Sequence, residues 1–198
     1  MKKRIAAIIM AAAMVMGLAA CQSTDGKADS SAQAEGNAKY RVGICQLVQH
    51  EALDAATEGF QDALKDELGD DVTFDVQNAQ NDSNTCSTIV NSFVANNVDL
   101  IMANGTASLQ AAAAGTADIP ILGTSITEYG VALGLDNFNG TVGGNISGTS
   151  DLAPLDEQAQ MIKDLFPDAK KVGILYCSAE ANSQYQVDTI SFHLPKLG

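Results

Sequence analysis

Positive charge is scarce in this chain: 11 Lys and Arg stand against 24 Asp and Glu, a net charge of −13 over 198 residues. A surface of that sign repels phosphate backbones and anionic headgroups, which argues against nucleic-acid binding and electrostatic docking on membranes. Histidine is scarcer still, with only His50 and His193, so a His-based metal site or a Ser-His-Asp triad has little material. The four cysteines, Cys21, Cys45, Cys86 and Cys177, show no paired metal-ligand spacing. No Gly-x-Ser-x-Gly elbow occurs. The stretch Gln46–Glu51, which follows the first apolar strand pattern, contains no glycine, so a dinucleotide fingerprint fails there. These absences favour a protein that is not an enzyme, with no catalytic residue, no metal and no cofactor. The 46% of hydrophobic residues, spread along the chain, describes a globular domain of ordinary size or part of a larger one.

One long apolar run is present, and it lies at the N-terminus. Lys2, Lys3 and Arg4 precede an apolar or small stretch from Ile5 to Ala20, which reads as a secretory leader. The run is short for a spanning helix, which needs about 20 apolar residues, and no basic stop-transfer flank follows it. Leu18, Ala19, Ala20 and Cys21 resemble the bacterial lipobox, in which cleavage falls just before a cysteine that carries diacylglycerol. Cys21 is then the first mature residue and the lipidation site, and the protein works outside the cytoplasm, lipid-anchored to a bacterial membrane. The alternative is cleavage at an Ala-x-Ala-like site with Cys21 an incidental thiol. Residues 21–39 carry no large apolar side chain before Tyr40 and read as a flexible tether.

Beyond the tether the pattern alternates strand and helix. Strands are expected at Tyr40–Val48, Val72–Val76, Val98–Met102 and Ile119–Leu122, with a fifth at Val131–Leu135. Helices are expected at Glu51–Leu68, about Asp82–Asn97 and Thr106–Ala117. In the first helix Leu53, Ala56, Phe60, Ala63 and Leu64 share a face, and Gly69 ends it. Such alternation specifies α/β architecture: a Rossmann-like parallel sheet covered by helices.

Ligands of such folds bind beyond the carboxyl ends of the strands, so the informative loops are Gln46–Glu51, Asn104–Ser108 and Thr124–Tyr129. Gln46, His50 and Glu51 can offer side chains from the first. The second opens an Ala-rich helix whose free N–H groups suit an anion, unless Thr106 or Ser108 is an ordinary N-cap. Thr124, Ser125 and Thr127 can add hydroxyls from the third. The Gly-rich stretch from Gly140 to Asp151 suits a crossover between lobes, with 141–153 as hinge. The pattern then restarts with a helix Pro154–Phe166, a strand Lys171–Tyr176 and a helix Ala181–Ile190. The organisation expected is 1–20 leader, 21–39 tether, 40–140 first ligand-binding lobe, 141–153 hinge and 154–198 the start of a second, incomplete lobe.

The segments VGICQLVQHEALD (Val42–Asp54), NAQND (Asn78–Asp82), VDLIMAN (Val98–Asn104), DIPIL (Asp118–Leu122) and KKVGILYCSAEANS (Lys170–Ser183), behind a leader and lipobox, carry a family resemblance. The chain resembles substrate-binding lipoproteins of ABC importers, more narrowly the family associated with tryptophan and tyrosine uptake. That resemblance implies a periplasmic-binding-protein type I fold, with two lobes closing over a small-molecule ligand, an aromatic amino acid by class, for delivery to an ABC permease. It implies contacts at Gln46, His50, Thr106, Ala107, Ser125 and Thr127 from the first lobe and at Asn182 and Ser183 from the second. A full second lobe needs several more βα units than follow residue 154, and Pro195 interrupts the last helix, so a truncated copy with an open cleft is the expectation. A sensory ectodomain, an exported enzyme on the same scaffold and a nonfunctional fragment are the competing readings. Cys45, Cys86 and Cys177 read as small buried residues, with a Cys45–Cys86 bridge as the alternative in an oxidising compartment.

Overall fold

The computed structural model describes residues 38–197; the leader, Cys21 and nearly all of the tether lie outside the described residues. Helix α1 (Glu51–Leu68) occupies the range expected from its apolar period. Leu53, Ala56, Thr57, Phe60, Leu64 and Leu68 turn toward the protein while the residues between them are mostly exposed. His50 caps the start of α1, its Nδ1 accepting from the Ala52 N–H at 3.2 Å. Gly69, at φ 57°, ends it.

Strand β1 (Tyr40–Gln46) runs between β2 (Val72–Asn78) and β3 (Leu100–Asn104), and β4 (Ile121–Ile126) and β5 (Ile146–Ser150) continue outward from β3. The sheet order is β2-β1-β3-β4-β5 and every pairing is parallel. Alternation along β1 divides its side chains between two cores. Val42 and Ile44 join Val72 and Met102 on one face, against Phe60, Leu64 and Leu68 of α1. Cys45 joins Ile101, Ala103 and Ile121 on the other, packed with residues of α2 (Ser83–Ala95) and α3 (Thr106–Gly115). Phe93 of α2 is fully buried there and lies over Gly43, where an added Cβ would come within 2.6 Å of its ring.

Three sequence expectations give way. Val131–Leu135, expected as a strand, lies largely in the short helix α4 (Tyr129–Leu133). An apolar run this short carries no period of its own. Its ends decide: Glu128 caps the helix through the Gly130 and Val131 N–H groups, at 3.0 and 2.6 Å, and Gly134 closes it in the left-handed region. The true fifth strand is β5, inside the Gly-rich crossover, where the Tyr129 hydroxyl lies 3.0 Å from the Gly123 carbonyl oxygen and 3.3 Å from that of Thr149. Burial and, to a lesser degree, the Asp151 carboxylate push that phenol up to about 12.

The expected strand Lys171–Tyr176 has no regular secondary structure and no strand partner. It lies between α5 (Leu155–Leu165) and α6 (Ala181–His193), and no strand sits beside it among the described residues. Without a ladder its apolar side chains face water, Val172, Ile174 and Tyr176 partly and Leu175 wholly. Cys177 at its end is exposed, not buried. Beyond α6 the chain tightens into a 3-10 turn, Leu194–Leu197, which accommodates Pro195.

Candidate functional site

Two connections leave β1 and β3 for opposite faces of the sheet, α1 to one and α3 to the other. The carboxyl ends of these neighbouring strands form the switch point where doubly wound sheets take ligands. A cavity of about 530 Å³ opens there. Every strand-end loop from β1 to β4 lines it: Leu47, Val48 and His50 after β1, Asn81 after β2, Gly105, Thr106 and Ala107 after β3, and Ser125 at the end of β4. The opposite wall is Cys177 together with Ala179, Glu180, Ala181 and Asn182 at the start of α6.

Backbone bonds hold these loops in one arrangement. The Leu47 N–H donates to the Asn104 carbonyl at 3.0 Å, Asn81 to Leu47 at 2.8 Å and Gly105 to Thr124 at 3.0 Å. Two backbone positions are unusual. Gly105 has φ 108° and ψ 154°, a region open in practice to glycine alone. Ser125 has φ 55°, and the β4–β5 register is irregular between Gly123 and Ile126. A non-glycine residue held there is strain placed at the cavity wall.

The helix ends set the electrostatics. Helix α1 is capped by His50 and α2 by Asp82, whose carboxylate accepts from the Thr85 N–H at 2.6 Å and is held below its usual range chiefly by that bond. Helices α3 and α6 have no side-chain cap hydrogen bond. Their first N–H groups, which no intrahelical carbonyl can satisfy, open on the same cavity and carry the positive ends of two helix dipoles. Among the described residues no Lys or Arg lines the cavity and Glu180 is its one carboxylate, while Leu47, Val48 and Leu53 make an apolar wall. Chemically this suits a small molecule with an anionic group for the amide donors, a cationic or donor group for Glu180 and an apolar body. Among the described residues no group of His, Cys, Asp or Glu is placed to hold a metal.

Of the residues singled out from sequence, His50, Thr106, Ala107, Ser125 and Asn182 lie in the cavity wall. Gln46 does not. It is buried beneath the loop, its Nε2 donating to the Val48 carbonyl (2.9 Å) and Asp54 Oδ1 (2.6 Å), and its Oε1 accepting from Thr57 Oγ1 (2.7 Å). Asn104 joins this network through its Nδ2, which donates to the Leu53 carbonyl and to Thr57 Oγ1 at 2.8 and 3.0 Å. Gln46 thus ties α1 to the sheet. Thr127 lies outside the lining, its carbonyl accepting from Ser150 Oγ at 2.8 Å. Ser183 stands behind the wall and donates to Glu180 Oε2 at 3.0 Å. Neither Thr106 nor Ser108 caps α3, because Gly105 occupies that position. Leu53, Asn81, Ser83, Gln110, Cys177 and Glu180 are lining residues that the sequence reading did not name as contacts, and Leu47 and Val48 lie in a loop that it singled out without naming them. Asn81 was within reach, since it follows the second strand as the other loops follow theirs.

Comparison with known proteins places the chain among relatives of one kind. The profile of a family described as ABC transporter substrate binding protein matches residues 41–198. A tyrosine-binding protein of Clostridioides difficile (strain R20291) is 40% identical over 200 residues, covering 98% of this chain and 58% of that protein. A crystal structure of an ABC domain in complex with L-Trp from Streptococcus pneumonia superposes with a TM-score of 0.74 at 34% identity, over 81% of this chain and 55% of that one. The ligand-free, open structure of a substrate binding protein with adhesive properties from Clostridium difficile gives a TM-score of 0.62 at 41% identity, over 79% and 54%. The chain spans little more than half the length of these relatives.

Proposed function

The chain belongs to the ABC transporter substrate binding protein family, and from that premise we propose that it captures a small zwitterion, an aromatic amino acid by class, in the strand-end cavity for delivery to a membrane permease. The observation that carries this reading is the pair of uncapped helix N-termini on a cavity that, among the described residues, has no basic side chain. A carboxylate finds backbone N–H donors and two helix dipoles there, and no lysine or arginine is needed. Glu180 supplies an acceptor for an α-ammonium group, and Leu47, Val48 and Leu53 supply contact for an apolar side chain. His50, Thr106, Ala107, Ser125 and Asn182 are then the contact residues. Gln46, Thr127 and Ser183 act one layer behind them, through the bonds described above. The names of the relatives, one tyrosine-binding and one holding L-Trp, support the aromatic class.

The same reading makes 40–140 a ligand-binding lobe, 141–153 the crossover and 154–198 the beginning of a second lobe. The basic and apolar leader and the lipobox-like Leu18–Cys21 support export and attachment by acyl chains on Cys21, outside the cytoplasm. Calorimetric titration with each of the twenty amino acids tests the ligand. Saturable heat is expected with L-Trp, L-Tyr or L-Phe, and Ser125→Ala should weaken that binding about tenfold, the cost of one hydrogen bond to a charged group. Absence of saturable heat with every amino acid would overturn the reading.

A further inference from the structure

Two cysteines that take no part in the cavity meet directly behind it. Cys45 is the penultimate residue of β1, and Cys86 lies one turn into α2. Both are fully buried. Their sulfurs converge on one hydroxyl, Cys45 Sγ standing 3.5 Å and Cys86 Sγ 3.6 Å from Ser108 Oγ in the first turn of α3. We propose that Cys45 and Cys86 form a disulfide that clamps β1 to α2 behind the cavity.

The surroundings favour the bond. Each thiol is the largest influence on the other's ionisation: Cys45 draws Cys86 down to about 7, and Cys86 together with burial pushes Cys45 up. Cys177, the third described cysteine, is exposed at the cavity wall and lies apart from this cluster. The bond closes a chain segment that holds all of α1 and β2, a long loop of the kind whose closure most restricts the unfolded chain. It also fixes two walls of the site, since Leu47 follows β1 and Asn81 and Ser83 mark the start of α2.

Formation requires a disulfide oxidant such as oxidised glutathione. During refolding one of the two thiolates attacks one of its sulfurs and releases a glutathione thiol; the other protein sulfur, losing its proton, then attacks the mixed disulfide and releases the second. Two protein thiols are oxidised, one small disulfide is reduced, and both protons leave on the glutathione products. In the cell this chemistry rests on the extracytoplasmic placement proposed above; in the tube it does not, so failure of the one is distinguishable from failure of the other.

The three described cysteines fall on separate tryptic peptides, 42–65, 66–163 and 172–196, and Cys21 falls on a fourth, 5–27. The full chain, refolded with oxidised glutathione, alkylated and digested, should yield 42–65 linked to 66–163, with 172–196 alkylated or glutathionylated. Reductant should abolish the link and lower the melting temperature by roughly 5–15 °C, and it should leave the melting temperature of a Cys45→Ala/Cys86→Ala variant unchanged. Alkylated Cys45 and Cys86 after refolding, or a link from either to Cys177, would overturn the assignment. A linked pair whose reduction leaves the melting temperature unmoved would overturn the clamp.

Discussion

Replacing Gly105 by alanine is expected to weaken ligand capture about tenfold or more while leaving the sheet folded. The residue sits at φ 108° and ψ 154°, where a side chain costs about 1–3 kcal/mol of backbone strain. The added Cβ would also lie 2.9 Å from Leu47 Cβ, and Leu47 is part of the cavity wall. Relief requires Leu47 to move toward the ligand or the turn into α3 to rotate, and rotation re-aims the amide groups of Thr106 and Ala107. Both routes damage the site more than the core, because Gly105 is a strand-end residue outside the two buried clusters. Calorimetry gives the affinity and far-UV circular dichroism the fold. Gly59→Ala is the control: an added Cβ there meets nothing within 4 Å and the position is helical, so stability should hold or rise by about 0.5–1 kcal/mol with binding unchanged. Equal binding by Gly105→Ala and the parent would remove the β3–α3 turn from the site.

The second large effect belongs to the scaffold. Phe93→Ala should cost about 3–5 kcal/mol, the range for deleting a buried aromatic side chain. Phe93 heads the fully buried side chains, and its ring fills the space over Gly43 that no other residue at that position would leave open. Domains of this size have roughly 5–15 kcal/mol in total, so the variant should lose roughly 6–20 °C of melting temperature, at about 2–4 °C per kcal/mol. Phe166→Ala, at a residue 63% exposed, should move it by little. Comparable losses from the two substitutions would contradict the assignment of Phe93 to the core.

How far sequence carried the structure depended on whether a segment's period or its surroundings decided it. Glu51–Leu68 has five turns of stripe and a glycine stop, and it folds over that range. Val131–Leu135 is too short to have a period, and a carboxylate cap outside it at Glu128 made it a helix. Lys171–Tyr176 has the alternation of a strand, yet pairing needs a neighbour, and none lies beside it among the described residues. β5 was hidden for the opposite reason: mostly exposed and set in a glycine-rich stretch, it is a strand because β4 pairs with it. The site divides in the same way. Strand-end loops follow from the βα alternation, so His50, Thr106 and Ser125 were legible as a group. The inward turn of Gln46 into a bond with Thr57 was not, because loop polarity does not reveal which partner a side chain takes. Nor could spacing show that Ser108 would abandon the cap position to Gly105 and lie between two cysteines.

The central claim is that backbone amides at the starts of α3 and α6 hold a ligand carboxylate. Thermal unfolding of the chain with the amino acid found by titration, and in parallel with its carboxamide, tests it most directly. A ligand that binds only the folded state raises stability by RT ln(1 + [L]/Kd). The free amino acid should therefore raise the melting temperature in a concentration-dependent way, and the carboxamide, equal in shape but without the negative charge, should raise it far less at the same concentration. Equal shifts from the two compounds would contradict the account, because the ligand would then be held without its carboxylate.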